Sequence, residues 1–190
     1  MDKKEALKKI KAGELSLEDV DKKLQADKEI VLAAVKQNGS ALYYADKKLK
    51  ADKEVVLAAL KQDGRALQYA DKTLQADKDV VLAAVKQAGH ALQYADKKFK
   101  ADKKIVLAAV KQNGDALEYA DKKLQVDEGV VTAALKDKKS IAKYFQEELA
   151  KTKGKKEVLN QIKKYFKIEV YSYGGETVMG TVSKEQYDYW

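Results

Sequence analysis

Residues 26–50 read ADKEIVLAAVKQNGSALYYADKKLK, and residues 51–75, 76–100 and 101–125 repeat that text at a period of 25 residues without an insertion. Self-similarity at a short fixed period confines a chain to arrays in which each unit buries its apolar face against the next copy. A single closed core built from unrelated elements is excluded for this stretch.

Each copy carries its own helix punctuation. Asp27, Asp52, Asp77 and Asp102 stand where an N-cap carboxylate accepts from the free N–H groups of a first turn. Glu29, Glu54 and Asp79 follow at the positive end of the helix, and Lys36, Lys61, Lys86 and Lys111 sit near the negative end. Gly39, Gly64, Gly89 and Gly114 are expected to end the helix in the left-handed conformation, which glycine enters without steric cost. About ten helical residues, roughly 15 Å, lie between cap and glycine. Their text is V-V-L-A-A-V in outline, apolar on nearly every side, so both flanks need cover from neighbouring copies. A-L-x-Y-A-D then predicts a second short helix and a turn, anchored by Leu49, Leu74, Phe99 and Leu124 and capped by Asp46, Asp71, Asp96 and Asp121. The expected fold is mainly α: an α-solenoid of stacked 25-residue helix-pair repeats. Its four regular units would span roughly 35 Å.

The flanks of the array differ in a systematic way. Residues 1–25 keep the period, but Glu5, Lys8 and Lys9 stand where Ile30, Ala33 and Ala34 recur, as an N-terminal capping repeat requires. Residues 126–150 keep Asp127, Val130, Val131, Ala133 and Ala134 but have Lys139 in place of the glycine, a degenerate terminal repeat that runs into a helix from Ser140. Residues 151–190 read as a small α+β segment: a basic helix presenting Val158, Leu159, Ile162, Tyr165 and Phe166, then a β-hairpin turning at Gly174-Gly175, then an aromatic end at Tyr187, Tyr189 and Trp190. A lone hairpin is marginal in water. It is therefore expected either to plug the open end of the stack or to dock another chain, which would make a homo-oligomer.

Composition removes several classes of function. The 190 residues contain no cysteine, no proline and one histidine, His90, so disulfides, thiolate metal sites and histidine relays are out. No cofactor or metal site is expected. Apolar runs such as Ile30–Val35 are far shorter than the roughly 20 residues of a membrane span. With no leader-like opening, the reading is a soluble, intracellular, non-membrane protein. No phosphate loop, nucleophile elbow or H-E-x-x-H is present, so no enzyme activity is expected.

Binding is what remains. Positions that vary between copies line one continuous surface in a stack, which makes Asn38, Asp63, Ala88 and Asn113 before the glycine candidate partner-binding residues. Ser40, Arg65, His90 and Asp115 after it, and Tyr43, Gln68, Gln93 and Glu118 three residues on, complete the set. Tyr44, Tyr69, Tyr94 and Tyr119 recur once per copy as a ladder, for packing or as a base-stacking platform. Net charge is +8, and residues 136–167 concentrate it, with 11 Lys against 4 Asp or Glu. Lys136, Lys138, Lys139, Lys151, Lys153, Lys155, Lys156, Lys163 and Lys164 are candidate phosphate-binding residues for a nucleic-acid backbone. The favoured function is a protein–protein interaction module or scaffold, with the nucleic-acid reading as the alternative.

D-K-E-V-V-L-A-A-L-K-Q-D-G-R-A-L-Q-Y-A-D resembles the units of a repeat family of unknown role, domain of unknown function 4116, whose pattern is D-x-E-V-V-x-x-A-V-x-x-x-G-x-A-L-x-Y-A. The resemblance covers roughly residues 15–137 and implies a helical repeat used for interaction, with no catalytic residue to carry over. Y-S-Y-G-G-E-T-V-M-G-T-V followed by Y-D-Y-W is similar to C-terminal segments of uncharacterised proteins of marine tailed viruses, which implies a phage or bacterial source.

Overall fold

The computed structural model describes residues 1–125, 127–134, 170–173 and 176–179. The chain is mainly helical, and the same packing recurs from copy to copy. The long helices are α1 (Lys3–Ala12), α3 (Lys28–Gln37), α5 (Lys53–Gln62), α7 (Lys78–Gln87), α9 (Lys103–Gln112) and α11 (Glu128–Ala134), each packed on the next. Between them run 3-10 helices at Gly39–Tyr44, Gly64–Tyr69, Gly89–Tyr94 and Gly114–Tyr119, which also stack on one another. One-turn helices α2 (Lys22–Gln25), α4 (Lys47–Lys50), α6 (Lys72–Gln75), α8 (Lys97–Lys100) and α10 (Lys122–Gln125) close each copy.

The expected helix pair is thus corrected to a three-piece unit. Ala41 and Leu42 are buried and Tyr44 packs on the core, a tight apolar spacing that a 3-10 turn of three residues brings to one side. The predicted turn is a single α-helical turn capped by the predicted aspartates: Asp46 Oδ1 accepts from the N–H of Lys48 at 2.9 Å, and Asp71, Asp96 and Asp121 repeat the contact. Leu49, Leu74 and Phe99 anchor it in the core, while Leu124 is half-buried. One backbone hydrogen bond ties each short helix to the next copy, from Asp46 N–H to Gln25 O, Asp71 to Lys50, Asp96 to Gln75 and Asp121 to Lys100.

The helix-ending glycines act differently from the expectation. Gly13 is the described glycine with positive φ, at 75°, and it closes α1 in the left-handed conformation. In the regular copies the residue before the glycine ends the helix in extended conformation, with Asn38 at φ −140° and Asp63 at φ −146°. The glycine is required by a neighbour instead. A Cβ on Gly39 would lie 2.5 Å from the carbonyl oxygen of Ala59, and Gly64, Gly89 and Gly114 meet Ala84, Ala109 and Ala134 in the same way. The 3-10 strip of one copy therefore rests directly on the end of the next long helix.

The long helices are covered on one side only. Ile30, Val31, Ala34 and Val35 and their equivalents are buried, whereas Leu32 and Ala33 and their equivalents are half-buried on the outer side. Glu5 and Lys9 pair at 2.9 Å on α1. Val170–Tyr173 pairs antiparallel with Glu176–Met179, Val170 opposite Met179 and Tyr173 opposite Glu176. The turn Gly174-Gly175, the helices expected from Ser140 and through Val158–Phe166, Lys139 and the aromatic end lie outside the described residues.

Each cap aspartate has a second task. Asp52 Oδ1 accepts from the N–H of Glu54 and Val55, and its Oδ2 receives Lys28 of the preceding copy at 2.7 Å. Lys3–Asp27, Lys53–Asp77, Lys78–Asp102 and Lys103–Asp127 continue the ladder, and Lys28 also reaches Glu54 at 2.8 Å. Where Lys104 replaces that acid, Lys78 holds only Asp102, at 3.3 Å.

The ladder sets a pH dependence. Lys28, Lys53 and Lys103 hold the carboxyls of Asp52, Asp77 and Asp127 below the ordinary range. At Asp102 burial pushes the other way and is outweighed by the N–H groups of Ile105 and Lys104 together with Lys78. A depressed folded-state value contributes stability that is present above the unfolded value, about 3.9, and lost as pH falls through the folded one. Melting temperature is therefore expected to be level from pH 8 to 5 and to fall below about pH 4. Asp77→Ala, which removes cap and bridge together, is expected to cost about 1–2 kcal/mol at pH 7. Asp77→Asn keeps a capping oxygen, costs less, and makes the acid limb shallower; an acid limb unchanged in Asp77→Asn would exclude the ladder as its origin.

Candidate binding surface

The twelve varying positions do fall along the 3-10 row, but several are already engaged within the chain. Asn38, Asp63 and Asn113 cap the 3-10 helices, accepting from the N–H of Ser40, Arg65 and Asp115 at 2.8–3.0 Å. Ala88 has no such bond. Arg65 is turned back in a two-point pair onto Asp63, Nε to Oδ1 and Nη2 to Oδ2, both at 3.1 Å. The His90 ring stands edge-on to Tyr119 of the next copy, 6.0 Å between centroids. Ser40, Gln93 and Asp115 are half-buried, and Gln68 and Glu118 are exposed.

Tyr43 differs from the others. Its side chain is 56% exposed, yet its ring meets Tyr44 at 5.0 Å and Tyr69 at 5.3 Å, both edge to face, with the Lys50 ammonium 5.4 Å above it. The result is a firmly seated aromatic cluster at one end of the 3-10 row. Tyr44, Tyr69, Tyr94 and Tyr119 are half-buried against the core, as a packing ladder requires. Glu18 raises the Tyr44 hydroxyl above its ordinary value, and the hydrogen bond to Glu118, ahead of burial, pushes Tyr119 up to about 12. Both hydroxyls stay protonated donors in neutral solution.

The last residue of each copy alternates between Gln and Lys. Gln25 donates from Nε2 to the carbonyls of Leu17 and Val20, Gln75 to Leu67 and Ala70, and Gln125 to Glu118 and Ala120. Lys100 reaches the carbonyl of Gln93 at 2.6 Å, and burial lowers the pKa of both Lys50 and Lys100. Gln75, Lys100 and Gln125 answer carbonyls at or near the end of a six-residue 3-10 helix, and Gln25 does the same for the bend at residues 17–20.

A second surface escapes a search for variation. On the outer side of the long helices a shallow groove crosses α3, α5 and α7, floored by Leu32, Leu57, Ala58 and Ala83. Lys36, Lys61 and Lys86 line one edge, and Glu54, paired with Lys28, lies on the other. Its residues are nearly constant from copy to copy, so the signal for it in the sequence is the Leu-Ala pair outside the buried set, at equal offsets.

The nine candidate phosphate-binding lysines, Lys136 to Lys164, lie outside the described residues. Among the described residues no group of His, Cys, Asp or Glu is arranged to hold a metal ion, and no helix is long and apolar enough to cross a membrane.

No curated protein and no solved structure matches the chain. Three tandem matches to one family cover residues 2–50, 52–100 and 102–150, each spanning two consecutive copies. The family's unit is thus a doublet of the 25-residue copy, and the Gln/Lys alternation at residues 25, 50, 75, 100 and 125 has the same doubled period. With matches over most of its length, the chain belongs to the family described as Domain of unknown function (DUF4116).

Proposed function

We propose that the chain is a non-enzymatic protein-interaction module, an α-solenoid scaffold that offers its repeat rows to a protein partner. The observation that carries this reading is Tyr43, a large aromatic ring more than half exposed but held in place by Tyr44, Tyr69 and Lys50. Seated surface aromatics are the side chains that contribute most to protein interfaces, because little side-chain entropy is left to lose on contact. The equivalent positions carry Gln68, Gln93 and Glu118, so the aromatic marks one end of the row and gives it direction. The varying positions not taken up in capping, among them Gln68, Gln93 and Glu118, would tune the choice of partner.

Tyr43→Gln copies the residue found in the second and third units and leaves the fold intact. In affinity capture with the full chain as bait, the protein retained by wild type is expected to drop at least fivefold with Tyr43→Gln. Unchanged retention would remove Tyr43 from the interface. The second reading, phosphate-backbone binding, rests on the net +7 of residues 136–167. A duplex that binds the full chain at about 50 mM salt, weakens steeply with added salt and ignores Tyr43→Gln would favour it.

A further inference from the structure

We infer that the groove on the outer side of the long helices is a docking site for an acidic amphipathic helix of a partner protein. The inference deepens the interaction reading and rests on it.

The floor is apolar and half-covered: Leu32, Leu57, Ala58 and Ala83 leave part of their surface open between successive helices. A continuous strip of this kind loses water favourably when an apolar stripe is laid into it. The strip crosses at least three helices at a step of about 9 Å, so a helix of about 20 residues, roughly 30 Å long, covers three to four steps. One face of an amphipathic helix presents apolar residues every three or four positions, which suits a narrow strip.

Charge selects the partner's sign. Lys36, Lys61, Lys86 and Lys111 are exposed at equal offsets near the C-terminal ends of α3, α5, α7 and α9. Among the described residues none of the four has a carboxylate within 4.0 Å, in contrast to Lys28, Lys53, Lys78 and Lys103, which the cap aspartates neutralise. The groove therefore has one edge where Lys28 and Lys53 each face two carboxylates, Asp52 with Glu54 and Asp77 with Asp79, and one edge of unanswered positive charge. An occupant whose Glu or Asp lie only on the flank toward Lys36, Lys61 and Lys86, with the flank toward Glu54 free of acids, matches both. A phosphate backbone would answer the lysines but leave the apolar floor unused. A bilayer needs side chains that protrude, and these leucines are recessed.

The test uses the full chain and a labelled synthetic helix of about 20 residues, with leucines at helical spacing and glutamates on one flank, followed by fluorescence anisotropy. A second peptide carries Lys at every Glu position. The acidic peptide is expected to bind at least tenfold more tightly than the basic one. Lys61→Glu with Lys86→Glu should reverse that order, the basic peptide recovering to within about threefold of the original affinity. Both positions are exposed, and the recovered binding of the basic peptide is a gain that damage to the fold would not produce. Equal affinity for the two peptides, or no reversal in the double variant, would overturn the inference. So would a 20-base-pair duplex or phosphatidylserine vesicles that bind through Lys61 and Lys86 while neither peptide does. If neither peptide binds but a captured protein still depends on Tyr43, the groove fails and the interaction reading stands; if both fail, the two fall together.

Discussion

Replacing Gly64 with alanine is expected to destabilise the array by about 3 kcal/mol, lowering the melting temperature by roughly 10 °C. The added Cβ would be driven into the carbonyl oxygen of Ala84 and would also lie 2.9 Å from the backbone nitrogen and 3.0 Å from the Cβ of Ala88. All three atoms belong to the next copy, and none is the free end of a flexible side chain. The clash can be relieved only by moving the 3-10 strip away from the following helix, which opens the interface that the repeat exists to close. Asparagine separates this cause from a conformational one. Asn enters the left-handed region readily, so it is tolerated where positive φ is the requirement and not where space is. Gly13, at φ 75° and with its nearest neighbour 4.0 Å away, is the comparison. Gly13→Asn is expected to cost a few tenths of a kcal/mol and Gly13→Ala about 1 kcal/mol. Gly64→Asn is expected to be at least as damaging as Gly64→Ala. Denaturant midpoints of the four variants decide the matter, and a mild Gly64→Asn would contradict the contact explanation.

What was legible in the sequence is what depends on near neighbours. The cap aspartates, the buried Ile30-Val31 and Ala34-Val35 pairs and the aspartates before the short helices are all set by contacts within a few residues, or by an apolar period that a helix must bury. A glycine after a helix has two physical uses, left-handed backbone and close approach of a neighbour, and the sequence of one copy does not separate them. Comparing copies does help: Gly13 stands one place earlier than Gly39 relative to its cap, Asp2 rather than Asp27, and that one-residue offset marks the change of role. The ion-pair ladder joins residues 24 apart, as in Lys28 with Asp52, and becomes visible only when one copy is set on the next. The 3-10 helix hid behind A-L-x-Y, whose apolar residues suit either a short α-helix or a tighter turn.

The candidate surface shows a related limit. Variation between copies pointed to the 3-10 row, yet at Asn38, Asp63 and Asn113 the side chain is taken up in capping, a role that an Asx residue two places before the bonded N–H could have signalled. The groove is hidden in the sequence because V-V-L-A-A-V reads as buried throughout. The two layers explain why it is not. Positions facing the 3-10 strips are sealed, while Leu32 and Ala33 face outward and are covered only by the neighbouring long helices. Among the described residues the long helices α3, α5, α7 and α9 each keep one half-covered flank, which is the surface the docking proposal uses.

Leu67→Ala is expected to cost about 3–4 kcal/mol, and the damage should be local in a way that a closed core would not show. Leu67 is fully buried in the 3-10 helix Gly64–Tyr69, which packs on both α5 and α7. Truncation leaves a cavity beneath the 3-10 helix, whose backbone already rests on the end of α7 at Gly64 and cannot move in to fill it. Because each copy touches only its neighbours, the lost energy belongs to the interfaces flanking that copy. Hydrogen exchange should therefore show amides of α5 and α7 losing protection by a factor of about 100 or more, with α1 and α11 changing little. The equivalent Leu17 is just as buried, but it lies in the first copy, next to α1, which has no long helix on its outer side among the described residues. Leu17→Ala is accordingly expected to fray α1 and leave α7 and α9 protected. Equal loss of protection across all the long helices in either variant would mean that the array unfolds as one unit, and nearest-neighbour stacking would then fail as the account of its stability.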